Sequence, residues 1–378
     1  MLPRTAAALA AVLVVAAWSA PAVPAEAAPK QPARTAASVL AQMTLPQRVG
    51  ELLMVGTAAS GPSSRALAAI RRYHVGGVIL MGNSTGGRAE VAATVAALQA
   101  ATTGTATDGT RLFIAVDQEG GNVQHLKGPG FATMPSALVQ GTWAPATLEQ
   151  RARAWAGQLS AAGVNLDLAP VADTVPAAQA EANTPIGHWQ RELGHRPGQV
   201  GAHAAAIVRG MGAAGVATSA KHFPGLGRVR DNTDLVGTVV DRRTTRHDAY
   251  LKPFAATIEA GAPFVMMSLA TYRRIDARRP AAFSPRIVTR MLRHDLAFGG
   301  VVISDSLTAA AAQRYDAGER AVRFVQAGGD IALVTEAGPI PAMYAALLAK
   351  ARTDPTFRGL VDASALRVLR AKERFGLL

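Results

Sequence analysis

The chain has 378 residues, no cysteine, a formal net charge of +13, and 49% hydrophobic but only 5% aromatic residues. Lack of cysteine excludes disulfides, thiol chemistry and thiolate metal sites, so stability must come from a large core of Ala, Val, Leu and Ile. The positive charge is mainly arginine, but no zinc-finger spacing or aromatic-interleaved basic motif accompanies it. No nucleic-acid partner is therefore expected, and the charge reads either as peripheral contact with anionic cell-wall polymers or as genome base composition.

Residues 2–28 contain an early Arg4, an apolar run from Ala6 to Trp18, Pro21 and Pro24, and the small-residue end Ala25-Glu26-Ala27. This is the layout of a secretory signal peptide, with an apolar run too short to span a bilayer. Cleavage near Ala27 or Ala28 would leave a secreted, extracytoplasmic chain of unchanged net charge, because Arg4 and Glu26 cancel. Residues 29–43 read as a linker and residues 44–378 as one domain. Thr44-Leu45-Pro46-Gln47 opens that domain as a helix start, with Thr44 as N-cap and Gln47 completing a capping box.

Eight short apolar runs follow: Leu52 to Val55, Gly77 to Leu80, Leu112 to Val116, Val164 to Leu168, Val216 to Thr218, Phe264 to Met267, Val301 to Ile303 and Ile331 to Val334. Helical spacing lies between them, at Ser64 to Tyr73, Arg88 to Ala101, Thr147 to Ala162, Gly198 to Ala214, Thr245 to Ala260, Ser284 to Asp295 and Gly318 to Ala327. A final helix is expected from an N-cap at Asp362 to Phe375. Alternating buried strands and helices predict an α/β fold with a parallel sheet, and eight units predict a single (β/α)8 TIM-type barrel over an open doubly wound sheet.

Chemistry in such a barrel sits at the carboxyl ends of the strands. There the sequence places Asp117-Gln118-Glu119-Gly120-Gly121 after the third run and Pro170-Val171-Ala172-Asp173 after the fourth. Lys221-His222-Phe223-Pro224-Gly225-Leu226-Gly227 covers the tip of the fifth, and Asp305 follows the seventh. Asp305 is either catalytic or an N-cap for a helix starting near Leu307. The phosphate-cradle ending Lys-Ser/Thr is missing, and no pair of histidines stands at ligand spacing, so neither a cofactor nor a metal is expected.

These motifs, in this order, resemble the bacterial β-N-acetylhexosaminidases of glycoside hydrolase family 3. The match runs through Val116-Asp117-Gln118-Glu119-Gly120-Gly121, Asn165 to Asp173, Lys221-His222-Phe223-Pro224-Gly225 and Ile303-Ser304-Asp305-Ser306-Leu307. The resemblance implies a carbohydrate substrate containing N-acetylglucosamine, a monomer, and a retaining double displacement with Asp305 as nucleophile. It also implies that Asp117, Arg191, Lys221 and His222 hold the hydroxyls of the terminal sugar. For Arg191 the alternative is an ordinary ion pair with Glu192 or a neighbour. Asp167 and Asp173 read as structural, satisfying N–H groups below the pocket.

The fifth loop departs from the family. Where relatives continue to an Asp-Ser/Thr-His triplet whose histidine is the general acid/base, this chain reads Asn232-Thr233-Asp234, and His125 replaces a second family arginine. His125 could bind sugar, cap a turn or be inert. Asp234 is the candidate substitute acid, its pKa lifted by burial and by Asp305, in a loop whose glycines would let it swing. The alternative is a pair with Arg228, Arg230 or Arg242. The function read from the sequence is an exported retaining glycosidase releasing terminal β-linked N-acetylhexosamine, and the alternative is a catalytically impaired relative that only binds glycan.

Overall fold

The computed structural model describes residues 34–378 and the isolated Ala11, so the expected signal segment lies outside the described residues. Eight parallel strands are numbered in chain order: β1 Leu53–Ala58, β2 Gly77–Met81, β3 Phe113–Val116, β4 Leu166–Asp167, β5 Ala217–Phe223, β6 Phe264–Met267, β7 Val301–Ser304 and β8 Ala332–Val334. Each falls within or overlaps one of the eight apolar runs, because a strand covered on both faces needs apolar residues at consecutive positions. Neighbours pair in the order β7-β6-β5-β4-β3-β2-β1-β8. The ends meet through a parallel bridge between Ile303 and Ile331, where the Ser304 N–H donates to the Ile331 carbonyl at 2.9 Å. The sheet is thus a closed (β/α)8 barrel rather than an open doubly wound sheet.

Alternate strand residues fill the barrel or face the helices. Met54, Ile79, Phe113, Leu166, Phe264, Met266, Ile303 and Leu333 form the interior cluster, while Val55, Val78, Ile114, Val265, Val302 and Val334 pack outward in the larger core. Phe113 of β3 and Phe264 of β6 meet edge to face with ring centroids 5.1 Å apart, a contact worth roughly 0.5–1.5 kcal/mol beyond its buried area.

Helices differ from expectation in three places. Residues 29–43 include the helix Ala36–Gln42, closed by a capping box between Thr35 and Ser38, so that part is not linker. Its Ala36, Val39 and Met43 pack on Leu369, an apolar stripe that alanine-rich composition concealed. The final helix is Pro355–Arg374, capped at Asp354, whose carboxylate accepts the Phe357 N–H at 3.0 Å. Asp362 lies inside it and pairs with Arg48 at 3.0 Å; an unexpected helix, Ile340–Thr353, precedes it. Between β5 and β6 the helix is only Lys252–Glu259, preceded by a 3-10 turn that Asp248 caps.

The final helix is tied to the barrel by a buried ion pair. Lys372 Nζ donates to Glu51 Oε1 at 2.9 Å and lies 2.7 Å from Oε2, at an angle poor for a second bond, with both side chains fully buried. Burial lowers the Lys372 pKa against the opposing pull of Glu51. Lys372→Met should cost about 3–5 kcal/mol in urea unfolding, because Glu51 is left charged and unpaired, and adding Glu51→Leu should recover most of it. A single substitution that leaves the midpoint unchanged would contradict this role.

Candidate active site

At the carboxyl end of the barrel lies a cavity of about 440 Å³ lined by Asp117, His125, Arg191, Lys221, His222, Asp234 and Asp305. All seven residues singled out in the sequence meet there. Asp305 is the first residue past β7, held by its N–H donating to the Met267 carbonyl at 3.0 Å. Its Oδ1 accepts the Ser306 N–H at 2.8 Å. No helix starts at Leu307; the next turn is Ala310–Ala312, and the helix Ala317–Ala327 follows Asp316. The N-cap reading of Asp305 therefore fails, and its carboxylate faces the cavity.

Opposite, β3 and β5 carry a buried charge network. Lys221 Nζ lies 2.6 Å from Glu119 Oε1 and also pairs with Asp117. Arg191 grips Glu119 with both arms of its guanidinium, Nε donating to Oε2 at 2.8 Å and Nη2 to Oε1 at 2.7 Å, while Nη1 donates to the Pro185 carbonyl at 2.7 Å. Burial alone would raise the Glu119 pKa, but Arg191 and Lys221 overcome it and hold the carboxyl well below the usual range. For Lys221, burial is likewise outweighed by Asp117 and Glu119, so it stays charged. The expected alternative, Arg191 with Glu192, does not form; Glu192 is buried without a hydrogen-bond partner, and burial raises its pKa. Glu119 is the residue sequence reasoning missed, although it stood inside the quoted Asp-Gln-Glu motif.

Asp173 shapes the fifth tip. Its carboxylate accepts the N–H groups of His222 at 3.2 Å and Leu226 at 2.7 Å, and its Oδ2 binds His222 Nδ1 at 2.7 Å. That bond occupies one ring nitrogen and leaves Nε2 for a ligand. Asp167 accepts the Gln118 N–H at 3.1 Å, and burial raises its pKa well above the usual carboxylate value. Both are structural, as expected. His125 stands at the rim with Nδ1 3.3 Å from Asn83 Oδ1. Beside Asp305, the hydroxyls of Ser306, Thr308 and Thr335 form a chain with two bonds of 2.7 and 2.7 Å.

Asp234 makes none of the alternative ion pairs. Arg228 is engaged by Asp248 at 2.8 Å, and no cation lies within ion-pair distance of Asp234 among the described residues. Removal from bulk water and the charge of Asp305 push its pKa up to about 6, against the opposing pull of His222 and Arg191. The residue lines the same cavity as Asp305. The loop is pinned rather than swinging. Asn183 Nδ2 donates to the Leu226 and Val229 carbonyls at 2.9 and 2.7 Å, and Ala311 N–H donates to the Thr233 carbonyl at 3.0 Å. Gly227 is needed because its Cα packs against the Thr174 carbonyl with no room for a Cβ, not as a hinge. Asn232 accepts the Asp234 N–H at 2.9 Å.

Among the described residues no group of three or more His, Cys, Asp or Glu is placed to hold a metal ion.

The profile of the glycosyl hydrolase family 3 N terminal domain matches residues 44–371. A beta-hexosaminidase of Stenotrophomonas maltophilia strain R551-3 is 33% identical over 332 residues, covering 83% of this chain and 92% of the relative. The crystal structure of a beta-N-acetylhexosaminidase from Beutenbergia cavernae superimposes with a TM-score of 0.86 at 50% identity, covering 88% of this chain and 99% of that one. A family 3 beta-N-acetylglucosaminidase from Paenibacillus sp. FPU-7 gives 0.80 at 30% identity, over 89% of this chain and 63% of that one.

Glu119→Gln should lower stability by about 3–5 kcal/mol, since it strips the shared anion from two buried cations. Urea unfolding of the variant at neutral pH checks it; an unshifted midpoint would mean that Glu119 does not hold the network.

Proposed function

The chain belongs to glycosyl hydrolase family 3 and is a glycosidase, and from that premise we propose that it releases terminal β-linked N-acetylhexosamine by a retaining mechanism. The N-acetylhexosamine preference is supported by what the relatives are named for. The observation that carries the mechanism is that two carboxylates, Asp305 and Asp234, share one cavity, and burial and Asp305 push the Asp234 pKa up to about 6. Asp305 attacks the anomeric carbon while Asp234 gives its proton to the leaving oxygen, forming a glycosyl ester on Asp305. Asp234, now a carboxylate, takes a proton from the incoming water as the ester is cleaved, and both groups return to their starting states.

The sugar is held by the network opposite. Lys221 supplies charge-assisted donors, Asp117 an acceptor for neighbouring hydroxyls, and Arg191 and His222 further contacts, while His125 closes the rim. Rigid placement by β3 and β5 matters because bonds made in a fixed geometry cost little ordering. The reading takes the protein to act outside the cytoplasm, as a monomer on cell-wall-type glycans; the leader-like pattern of residues 2–28 supports the export.

Mass spectrometry after treatment with a 5-fluoro N-acetylglucosaminyl fluoride should place the label on the peptide containing Asp305; a label on another carboxylate would refute the nucleophile. Lys221→Ala should weaken N-acetylglucosamine binding in calorimetry by about 1.5–3 kcal/mol, the range for a bond to a charged group, and unchanged affinity would remove Lys221 from the sugar site.

Asp234→Asn should slow hydrolysis of glycans by roughly 10²–10⁴-fold but spare the first step on aryl N-acetylglucosaminides, with azide rescuing the second. Below about pH 6 the wild-type Asp234 carries its proton and can donate it; as pH rises past that value kcat/KM on glycans should fall, and the Asn variant should lack this limb. Full glycan turnover by the variant, or a parent that binds sugar and turns over nothing, would refute the acid role.

A further inference from the structure

The loops leaving β5 and β6 do more than line the cavity. They pair as a small parallel ladder, Val240 with Thr271 and Asp241 with Tyr272, extended by the Arg273 N–H donating to the Asp241 carbonyl at 2.9 Å. This ladder sets Arg242 and Arg243 beside Arg273 and Arg274, and the following turn adds Arg278 and Arg279; all six are exposed.

The nearby acids do not neutralise them. Asp241 spends Oδ1 on the Arg243 and Thr244 N–H groups at 2.7 Å each, and Oδ2 on the Thr244 hydroxyl at 2.7 Å. Asp276 accepts the Arg278 N–H at 3.1 Å and the Ser284 hydroxyl at 2.8 Å. Both aspartates are buried and brace backbone rather than guanidinium groups. Among the described residues the one ion pair these six arginines make is Arg279 with Asp276 at 3.9 Å. The result is a rigidly supported cationic surface on the cavity side of the barrel, in part on the same loop as Asp234, six residues before Val240.

We propose that this arginine ladder is a docking surface for an acidic glycan strand, one in which N-acetylhexosamine alternates with carboxylate-bearing sugars, and that it guides the strand end into the cavity. Guanidinium groups bind carboxylates through paired N–H bonds, and a fixed row of them matches charges repeating along a polymer. Uncompensated charge beside a cavity also raises the local concentration of an anionic substrate. The shared face with the catalytic cavity favours a glycan over nucleic acid, which would gain nothing from that placement. The identity of the strand rests on the hexosaminidase reading; the surface itself does not.

The test uses the full chain and a variant with Arg242, Arg243, Arg273 and Arg274 each changed to Gln. Hyaluronan oligosaccharides are the acidic probe, neutral chitin oligosaccharides the uncharged control, and a DNA duplex of matched charge the competitor. The wild type should bind hyaluronan in preference to both, with affinity that falls as salt rises, and the variant should lose roughly tenfold or more of it at low salt. Turnover of an aryl N-acetylglucosaminide, which carries no charge, should be the same in both proteins. Equal hyaluronan binding by the variant, equal binding of chitin, or displacement by DNA at equal charge would each overturn the proposal. If the wild type binds hyaluronan through these arginines but leaves the aryl substrate intact, the docking surface stands and the hexosaminidase reading falls.

Discussion

The site depends on one buried carboxylate. Glu119 sits between Lys221 and Arg191, which come from β5 and from the loop following β4, and satisfies both at 2.6 to 2.8 Å. Burial opposes the charge of both cations, and Glu119, with Asp117, offsets that cost. With Glu119 in place, Lys221 still reaches Asp117, and the surplus hydrogen-bonding capacity of Asp117 and Lys221 points into the cavity. The network thus fixes three loops at once and presents donors and acceptors in a geometry set before any ligand arrives.

The opposite wall works by a different balance. Relatives described by the sequence resemblance use an acid-oriented histidine, a group that titrates near neutrality without assistance. A carboxylic acid in that position needs its pKa lifted, and here the lift comes from withdrawal from water and from Asp305. In the proposed mechanism the acid therefore depends on the charge of Asp305: once Asp305 becomes an ester, that repulsion disappears and the pKa of Asp234 falls, so it stays ionised and can take a proton from water.

Much of this was legible in the sequence because buried parallel strands need unbroken apolar runs, and the polar residues ending those runs have no place but the barrel mouth. Asp117, Lys221, His222 and Asp305 were visible for that reason. Glu119 was not, because from the sequence an acid three residues past a strand tip reads equally well as a surface residue; only its burial between two cations distinguishes it. Gly227 is ambiguous in the same way, since a glycine required for close approach to the Thr174 carbonyl has the same letter as one required for motion. From the sequence Asp362 reads as a cap because aspartate favours that position, whereas its pairing with Arg48 across 314 residues belongs to tertiary structure alone.

The proposed mechanism turns on Asp234 being an acid whose pKa burial and Asp305 raise together. Its most direct measurement is a carbon-13 NMR titration of the Asp234 carboxyl in the wild-type protein and in Asp305→Asn. The account predicts a midpoint near 6 in the wild type and a fall toward the ordinary aspartate value when the charge of Asp305 is removed. An ordinary midpoint in the wild type, or a raised one that Asp305→Asn leaves unchanged, would contradict it.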